Sequence, residues 1–128
     1  MKKLTIVFVL FLCGIVFAQA QQSNIIAVAA VDRTENSQIS QIAARAPYYL
    51  IFDRSGKLME VLSNPFRDAT RGAGPKVAGL LIEKNVTVVV AGDFGHKMTI
   101  ALDEKVISHL KATGVVQKAI QDLLKVTN

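Results

Sequence analysis

Cysteine is almost absent from this sequence of 128 residues: the only one, Cys13, lies in an apolar run near the amino terminus. The rest of the chain therefore has no disulfide and no thiolate to act as a nucleophile or metal ligand. Its two histidines, His96 and His109, are far apart in the sequence, which argues against a structural zinc site. Core packing alone must hold the fold together.

Other absences exclude whole classes of function. Lysine and arginine do not form runs and aromatic residues make up 6% of the chain, so we do not expect nucleic-acid binding. No Ser/His/Asp arrangement is visible, and hydrolase chemistry lacks a candidate triad. The segment 72–76 lacks the glycine spacing and the Lys-Ser/Thr ending of a phosphate loop, which excludes ATP binding of that kind.

The first twenty residues have the three parts of a secretory signal peptide. Lys2 and Lys3 precede an apolar run over residues 4–18, and small residues at Ala18 and Ala20 supply a cleavage site. The run of about 15 apolar residues is too short for the roughly 20 that a membrane-spanning helix needs. We expect cleavage after Ala20 and a periplasmic or secreted product; only an uncleaved chain would stay at the membrane.

Residues 21–128 are predicted to form one small domain, since their number is close to the commonest domain size. Without Lys2 and Lys3 the excess of basic over acidic residues falls from five to three, a weak charge that implies no polyanionic polymer as partner.

The apolar pattern predicts five strands and three helices. Strands are expected over residues 24–31, 48–53, 57–62, 86–91 and 106–110, and helices over 76–84, 96–104 and a closing stretch capped by Thr113. Residues 32–46 are left as loop, with room for one helical turn within residues 38–45. The resulting order β-β-β-α-β-α-β-α predicts an α/β fold: a ribonuclease-H-like mixed five-stranded sheet with parallel later strands.

Two segments repeat one local design 21 residues apart. Gly74-Pro75-Lys76 and Gly95-His96-Lys97 each place a glycine at a predicted helix start and a lysine two positions later. The first N–H groups of a helix are unpaired donors and the dipole there favours negative charge, so two such ends would form an anion cradle. Glycines at such turns are also common for packing alone, and first-turn lysines are often merely solvated.

A metal site has two weaker candidates. Asp32 and Asp93 follow strands that are neighbours in a ribonuclease-H-like sheet and could share a divalent metal, but a nuclease needs further carboxylates there. The alternative is that both bond turn backbone. His96 and Met98 offer imidazole and thioether, which copper(I) accepts, although Met98 also fits the core.

The segments 71–78 and 86–97 and the Ala119-Ile120 ending together resemble the dinitrogenase iron-molybdenum cofactor biosynthesis family. The resemblance implies a ribonuclease-H-like fold and a small, non-enzymatic carrier of an anionic metal-sulfur cluster, of the iron-molybdenum or molybdenum-copper type. It also implies a delivery protein as partner. The residues carried over as cofactor-binding are Arg71, Gly72, Gly74, Lys76, Gly92, Gly95, His96 and Lys97, with His96 as the one candidate metal ligand.

The sequence departs from that family at two places. A frequent His-Phe-Gly before the second strand corresponds to Ile42, Ala43 and Ala44, and a glycine usual before the fifth strand is aligned with Lys105. These losses keep a second interpretation open, an exported interaction module that no longer binds a cluster. Export also separates the chain from nitrogenase cofactor assembly, which is cytoplasmic.

Overall fold

The computed structural model describes residues 24–127, so the predicted signal peptide and Cys13 lie outside the described residues. The order of elements is the one expected from the sequence. The strands are β1 (Ile26–Ala30), β2 (Tyr48–Phe52), β3 (Leu58–Ser63), β4 (Val88–Ala91) and β5 (Ser108–Lys111). The helices are α1 (Ala73–Glu83), α2 (His96–Glu104) and α3 (Val116–Thr127), and a single 3-10 turn covers Ala43–Arg45. No helix among the described residues is long and apolar enough to cross a membrane.

The strands form one mixed sheet in the order β3-β2-β1-β4-β5. β1, β2 and β3 are joined by antiparallel pairing, whereas β4 is parallel to both β1 and β5. This is the ribonuclease-H-like arrangement that the sequence predicted. Because β1 and β4 are parallel, their carboxyl ends meet at one edge of the sheet, from which the chain enters α2.

The sheet is covered on both faces, and its central strand shows why. All five residues of β1 are buried, as expected for a run without alternation. Ala27 and Ala29 pack on one face under α1 and α2, while Ile26 and Val28 pack on the other under α3. The two cores are separate, so α3 covers one face of the sheet without contacting the starts of α1 and α2, which lie on the other face.

The segment 32–46, which the sequence left open, is an extended loop that ends in the 3-10 turn. It serves as a cap for α3: the amides of Val116 and Gln117 donate to the carbonyls of Ser37 and Glu35 at 2.9 and 3.0 Å. The predicted capping by Thr113 is therefore wrong, because the helix begins three residues later at Val116 and a neighbouring loop satisfies its amides.

Helix α1 begins earlier than predicted. Gly72 adopts a left-handed conformation (φ 70°) as the residue before the helix, so Ala73 is the first helical residue and Pro75 the third. Pro75 still lies in the first turn, where a missing N–H removes no helical bond. At the other end, Asn85 has φ 62°, which confirms the predicted left-handed residue after the helix.

The connection between α2 and β5 contains a strained residue. Val106 has φ 57°, a left-handed conformation that is unfavourable for a β-branched side chain, and it is 87% exposed. Lys105, which the alignment with the family placed at the glycine position, has an ordinary φ of −94°. The residue in this connection whose backbone conformation favours glycine is thus Val106 and not Lys105.

Val106→Gly should raise the free energy of unfolding by about 1 kcal/mol. A left-handed non-glycine residue costs roughly 1–2 kcal/mol, and the extra freedom of glycine in the unfolded chain cancels part of the gain. Asn85→Gly is the matched control: it changes a left-handed residue at the end of the other helix, where asparagine is already tolerated, and should change stability by less than about 0.5 kcal/mol. Urea unfolding measures both; an unchanged or lowered stability of Val106→Gly would contradict the strain.

Candidate functional site

A cavity of 560 Å³ lies where α1 and α2 begin, and we call it the helix-end cavity. Its walls are the 3-10 turn with the residue before it, the loop into α1, and the first turn of α2. The lining residues are Ile42, Ala44, Arg45, Thr70, Arg71, Gly72, Ala73, Gly74, Pro75, Phe94, Gly95, His96, Lys97 and Met98. The two glycine turns recognised in the sequence are therefore brought to one place.

Both helices begin on a glycine with positive φ, and neither has a side-chain cap. Gly72 has φ 70° and Gly95 has φ 74°, and a side chain added at either would meet nothing within 4 Å. The first helical bonds run from Lys76 N to Gly72 O and from Thr99 N to Gly95 O. Pro75 has no N–H, and the other amides before these bonds have no acceptor in their own helix and can donate to an anion in the cavity.

The charges around the cavity all have one sign. Arg45, Arg71 and Lys97 line it, and none of the lining residues is acidic. Arg71 and Lys97 are exposed and have no ion pair with any residue in the described part of the chain. The positive charges and the helix dipoles thus act on the same volume without an opposing carboxylate.

The rim opposite the helices is held by buried hydrogen bonds. The hydroxyl of the buried Tyr49 donates to the carbonyl of Ala43, and burial raises the pKa of that phenol, which keeps it a donor. Asn64 is also buried and donates to the carbonyls of Ala44 and Ala46 at 3.0 and 2.9 Å. The 3-10 turn is therefore held in place by side chains from β2 and from the loop after β3, and Ala43 packs in the core beside the sheet.

Arg45 was not predicted as a site residue, yet it lines the cavity and shapes it. Its Nη1 donates to the carbonyls of Arg67 and Ala69 and so ties the 3-10 turn to the loop that leads into α1. The sequence did not indicate Arg45 as a site residue, because it lies far from the glycine turns along the chain. The hairpin and the loop after β3 bring it there, and no local motif signals such a contact.

Two of the predicted glycines have steric roles. A β-carbon on Gly74 would lie 2.8 Å from the Cβ of Met98, because the starts of α1 and α2 touch at this point. A β-carbon on Gly92 would lie 2.7 Å from the Cα of Gln41, where the loop before the 3-10 turn crosses the end of β4. Gly74 lines the cavity and Gly92 does not.

Lys76 also lies outside the cavity lining. Its Nζ is 6.0 Å from the ring centroid of Phe66. The two lysines of the repeated design are therefore not equivalent: Lys97 lines the cavity, whereas Lys76 is directed to a neighbouring aromatic ring.

Asp93 follows β4 but does not face a metal site. Its Oδ1 accepts the amide of Phe94 at 2.8 Å and lies 3.3 Å from the Nζ of Lys111, and these two interactions lower the pKa of the carboxyl group. Asp32 accepts the amide of Arg33 at 2.7 Å. Both carboxylates therefore bond turn backbone, and residues 24–127 contain no group of three or more potential acidic, histidine or cysteine metal ligands.

His96 is exposed at the cavity and Met98 is buried in its wall. Ile42, at the position where the resemblance places a histidine, is 57% exposed and also lines the cavity. The only side chains there that bind soft metals are thus one imidazole and one thioether. Such a site suits an anion held by charge and N–H donors better than a metal ion held by several protein ligands.

This geometry defines a class of protein: an α/β domain that has a cationic cavity at the carboxyl edge of a ribonuclease-H-like sheet. Residues 24–126 match the sequence profile of the family described as dinitrogenase iron-molybdenum cofactor, and the chain belongs to that family. No curated protein matches the sequence significantly.

Three solved structures are similar. A Thermotoga protein described as NifB and assigned to the DUF35 family is 32% identical, with a TM-score of 0.69 over 80% of this chain and 88% of its own. The apo orange protein of Desulfovibrio gigas is 23% identical, with a TM-score of 0.75 over 80% and 88%. A Methanocaldococcus jannaschii protein described as a dinitrogenase is 15% identical, with a TM-score of 0.57 over 83% and 92%. The last two likenesses concern the fold alone.

Gly74→Ala should lower the free energy of unfolding by about 1–3 kcal/mol, because the new methyl group overlaps Met98 and the helix starts must separate. Gly79→Ala is the matched control in the same helix, where a β-carbon meets nothing within 4 Å; it should raise stability by up to about 1 kcal/mol. Chemical unfolding of both variants tests this contact. Equal effects of the two substitutions would show that the helices do not meet at Gly74.

Proposed function

We propose that this protein is a non-enzymatic carrier that holds an anionic metal-sulfur cluster or metal complex as cargo in the helix-end cavity. The observation that carries the proposal is the convergence of two glycine-started helices on one cavity lined by arginine and lysine and by no carboxylate. Membership of the dinitrogenase iron-molybdenum cofactor family supports a metal cluster as the cargo. A delivery protein that takes up or supplies the cargo is part of this proposal.

The cavity offers three kinds of interaction to such a cargo. Free amides at the starts of α1 and α2 donate hydrogen bonds to terminal sulfur or oxygen atoms. Arg71 and Lys97 neutralise charge, and Arg71 has the planar fork that binds two acceptors at once. The open space at Gly72 and Gly95 lets the cargo approach the backbone closely, because neither position carries a β-carbon.

Tetrathiomolybdate is a suitable probe, since it is a coloured dianion with terminal sulfur atoms. Under anaerobic conditions wild type should retain it after desalting, and Arg71→Ala and Lys97→Ala should each raise its dissociation constant about tenfold, because each removes one charge-assisted contact. Visible absorption and molybdenum analysis measure retention. Raised salt should weaken binding to the wild type more than to the Arg71→Ala/Lys97→Ala double variant.

Lys76→Ala is the matched control, because it removes the same charge from the first turn of α1, outside the cavity lining. It should change the dissociation constant less than about twofold. Failure of the wild type to retain the probe would refute the carrier proposal. An equal loss in Lys76→Ala would show that the anion responds to net charge and not to the cavity.

A second arm of the same experiment tests His96 as a metal ligand. With copper(I) added, a bridged molybdenum–sulfur–copper species can take one imidazole nitrogen, so His96→Ala should lose copper while it still retains tetrathiomolybdate alone. Equal retention of copper by the wild type and His96→Ala would leave His96 with no role as a ligand. It would not affect the electrostatic part of the proposal.

The alternative function is an interaction module that shares the fold and has lost its cargo. Ile42 favours it, because an exposed isoleucine lines the cavity where the family resemblance places a histidine. The contact between Gly74 and Met98 gives one glycine of the pattern a reason independent of any ligand. Under this alternative the wild type binds no probe, and Arg71→Ala/Lys97→Ala keeps every protein partner.

We also propose that the domain works outside the cytoplasm, after removal of residues 1–20. The support is the sequence pattern of two lysines, an apolar run and the small residues Ala18 and Ala20. Export would separate the cargo from nitrogenase cofactor assembly and would favour a more oxidation-tolerant metal complex. A domain without a cysteine after cleavage also has no thiol to oxidise there.

Expression of the full chain in a Gram-negative host should yield a periplasmic protein whose intact mass corresponds to residues 21–128, with Gln21 as the first residue. Ala20→Lys should accumulate as precursor, because the peptidase requires a small residue at that position. Mass spectrometry of the periplasmic and membrane fractions measures both. A soluble cytoplasmic product of full mass in the wild type would contradict export.

A further inference from the structure

The outer edge of β5 has unpaired backbone groups. β5 is the last strand of the sheet and pairs with β4 along one side. The amides of Ser108 and Ala112 donate towards β4, to the carbonyls of Thr87 and Ala91 at 2.9 and 3.0 Å. In a parallel pair alternate residues point to opposite sides, so the N–H and C=O groups of His109 and Lys111 point away from the sheet. No strand in the described residues covers them.

One face beside this edge is an apolar groove. Leu110 is 41% exposed and, with Val90, Ala112 and Ala119, lines a cavity of 450 Å³ between β5 and α3, whose lining also includes the Lys118–Asp122 ion pair. Exposed strand edges with an apolar neighbour are sites where another strand adds to a sheet. A second copy of β5 fits this edge both in the register of its backbone groups and in the charges of its side chains.

We propose that β5 pairs antiparallel with β5 of a second copy, in a register centred on Leu110, to form a twofold-symmetric dimer with a continuous sheet. His109 then lies opposite Lys111 of the second copy, and because both residues present outward N–H and C=O groups, each such pair exchanges two hydrogen bonds. Leu110 lies opposite Leu110 at the closely spaced position, over the apolar grooves of both copies. One exposed leucine per copy thus covers another.

The charges on the opposite face of β5 support the same register. Nε2 of His109 lies 3.0 Å from Oδ1 of Asp103, so the Asp103 carboxylate stands beside the position that Lys111 of the second copy would reach. Among residues 24–127, the ammonium group of Lys111 pairs with Asp93 at 3.3 Å, and this exposed ion pair is weak enough to exchange. The dimer therefore places a cation beside the Asp103 carboxylate twice, once on each side of the twofold axis.

The other edge of the sheet provides a matched control. β3 also carries an exposed apolar residue, Met59, which is 57% exposed, but its neighbour Glu60 points a carboxylate to Lys84 at 2.9 Å. Leu110→Lys should raise the dissociation constant of the dimer at least about tenfold, since it sets two like charges face to face, whereas Met59→Lys should leave it unchanged. Sedimentation velocity across a range of concentrations measures both, and circular dichroism confirms folding.

A disulfide trap tests the register independently of the lysine variant. The pair at the twofold axis has Cα atoms about 4.5 Å apart in this geometry, within the range that a disulfide spans. In a Cys13→Ser background, Leu110→Cys should form a covalent dimer under mild oxidation. This covalent dimer should have the sedimentation coefficient of the wild-type dimer. Met59→Cys should not.

Several results would overturn the dimer. They are a wild type that stays monomeric at every concentration, a Leu110→Lys dimer of unchanged affinity, and equal cross-linking at positions 110 and 59. A monomer whose β5 amides gain protection from hydrogen exchange only with an added extended peptide would assign the edge to a different protein and would also overturn it. None of these readouts uses an anion, so the dimer and the carrier function can fail separately.

Discussion

The contact between Gly74 and Met98 is the constraint on which the helix-end cavity depends. At this contact the starts of α1 and α2 are so close that a β-carbon on Gly74 would overlap the side chain of Met98. At this distance the unpaired amides of both helices face one volume, and their dipoles add instead of acting on separate patches of solvent. A larger residue at position 74 would separate the ends and divide the cavity. The glycine that resembles a ligand-binding residue in the sequence thus acts first through packing.

The third wall of the cavity depends on the carboxyl end of β4. Gly92 lets the backbone of Gln41 pass across that end, and the carbonyl of Asp93 then accepts the amide of Ala43 at 2.9 Å. The 3-10 turn is placed by these contacts and held by Tyr49 from below. Gly92 therefore influences the site without lining it, which explains how a family pattern can include a residue that no ligand in the cavity would touch.

The sequence predicted the parts of this structure that are encoded locally. Uninterrupted apolar runs indicated the buried strands, and the order of elements was sufficient for the sheet topology. Gly95 marked the start of α2, whereas α1 begins after Gly72, two residues before the predicted Gly74. The missed features depend on contacts across the chain. The loop 32–46 has no periodicity because its backbone caps α3 and crosses β4, and Arg45 enters the site through carbonyls more than twenty residues away. Lys76 and Lys97 share a pattern, but only the fold distinguishes the neighbour of Phe66 from the residue in the cavity.

The positive field of the cavity arises from the placement of a few charges and not from the small net charge of the domain. The carboxylates that could oppose it are engaged elsewhere: Asp93 with the amide of Phe94 and with Lys111, Asp103 with His109, and Glu60 with Lys84. Asp93 is the closest of these in sequence to the α2 start, and its bond to Lys111 directs it towards β5. The hydrogen bond from the amide of Phe94 keeps this carboxylate at the end of β4, outside the cavity lining, and the exposed pair with Lys111 contributes to the charge of the free edge. Because the amide of Phe94 holds Asp93 independently of Lys111, a partner strand that took Lys111 would leave the cavity lining without a carboxylate, and occupation of the edge is compatible with binding of an anion.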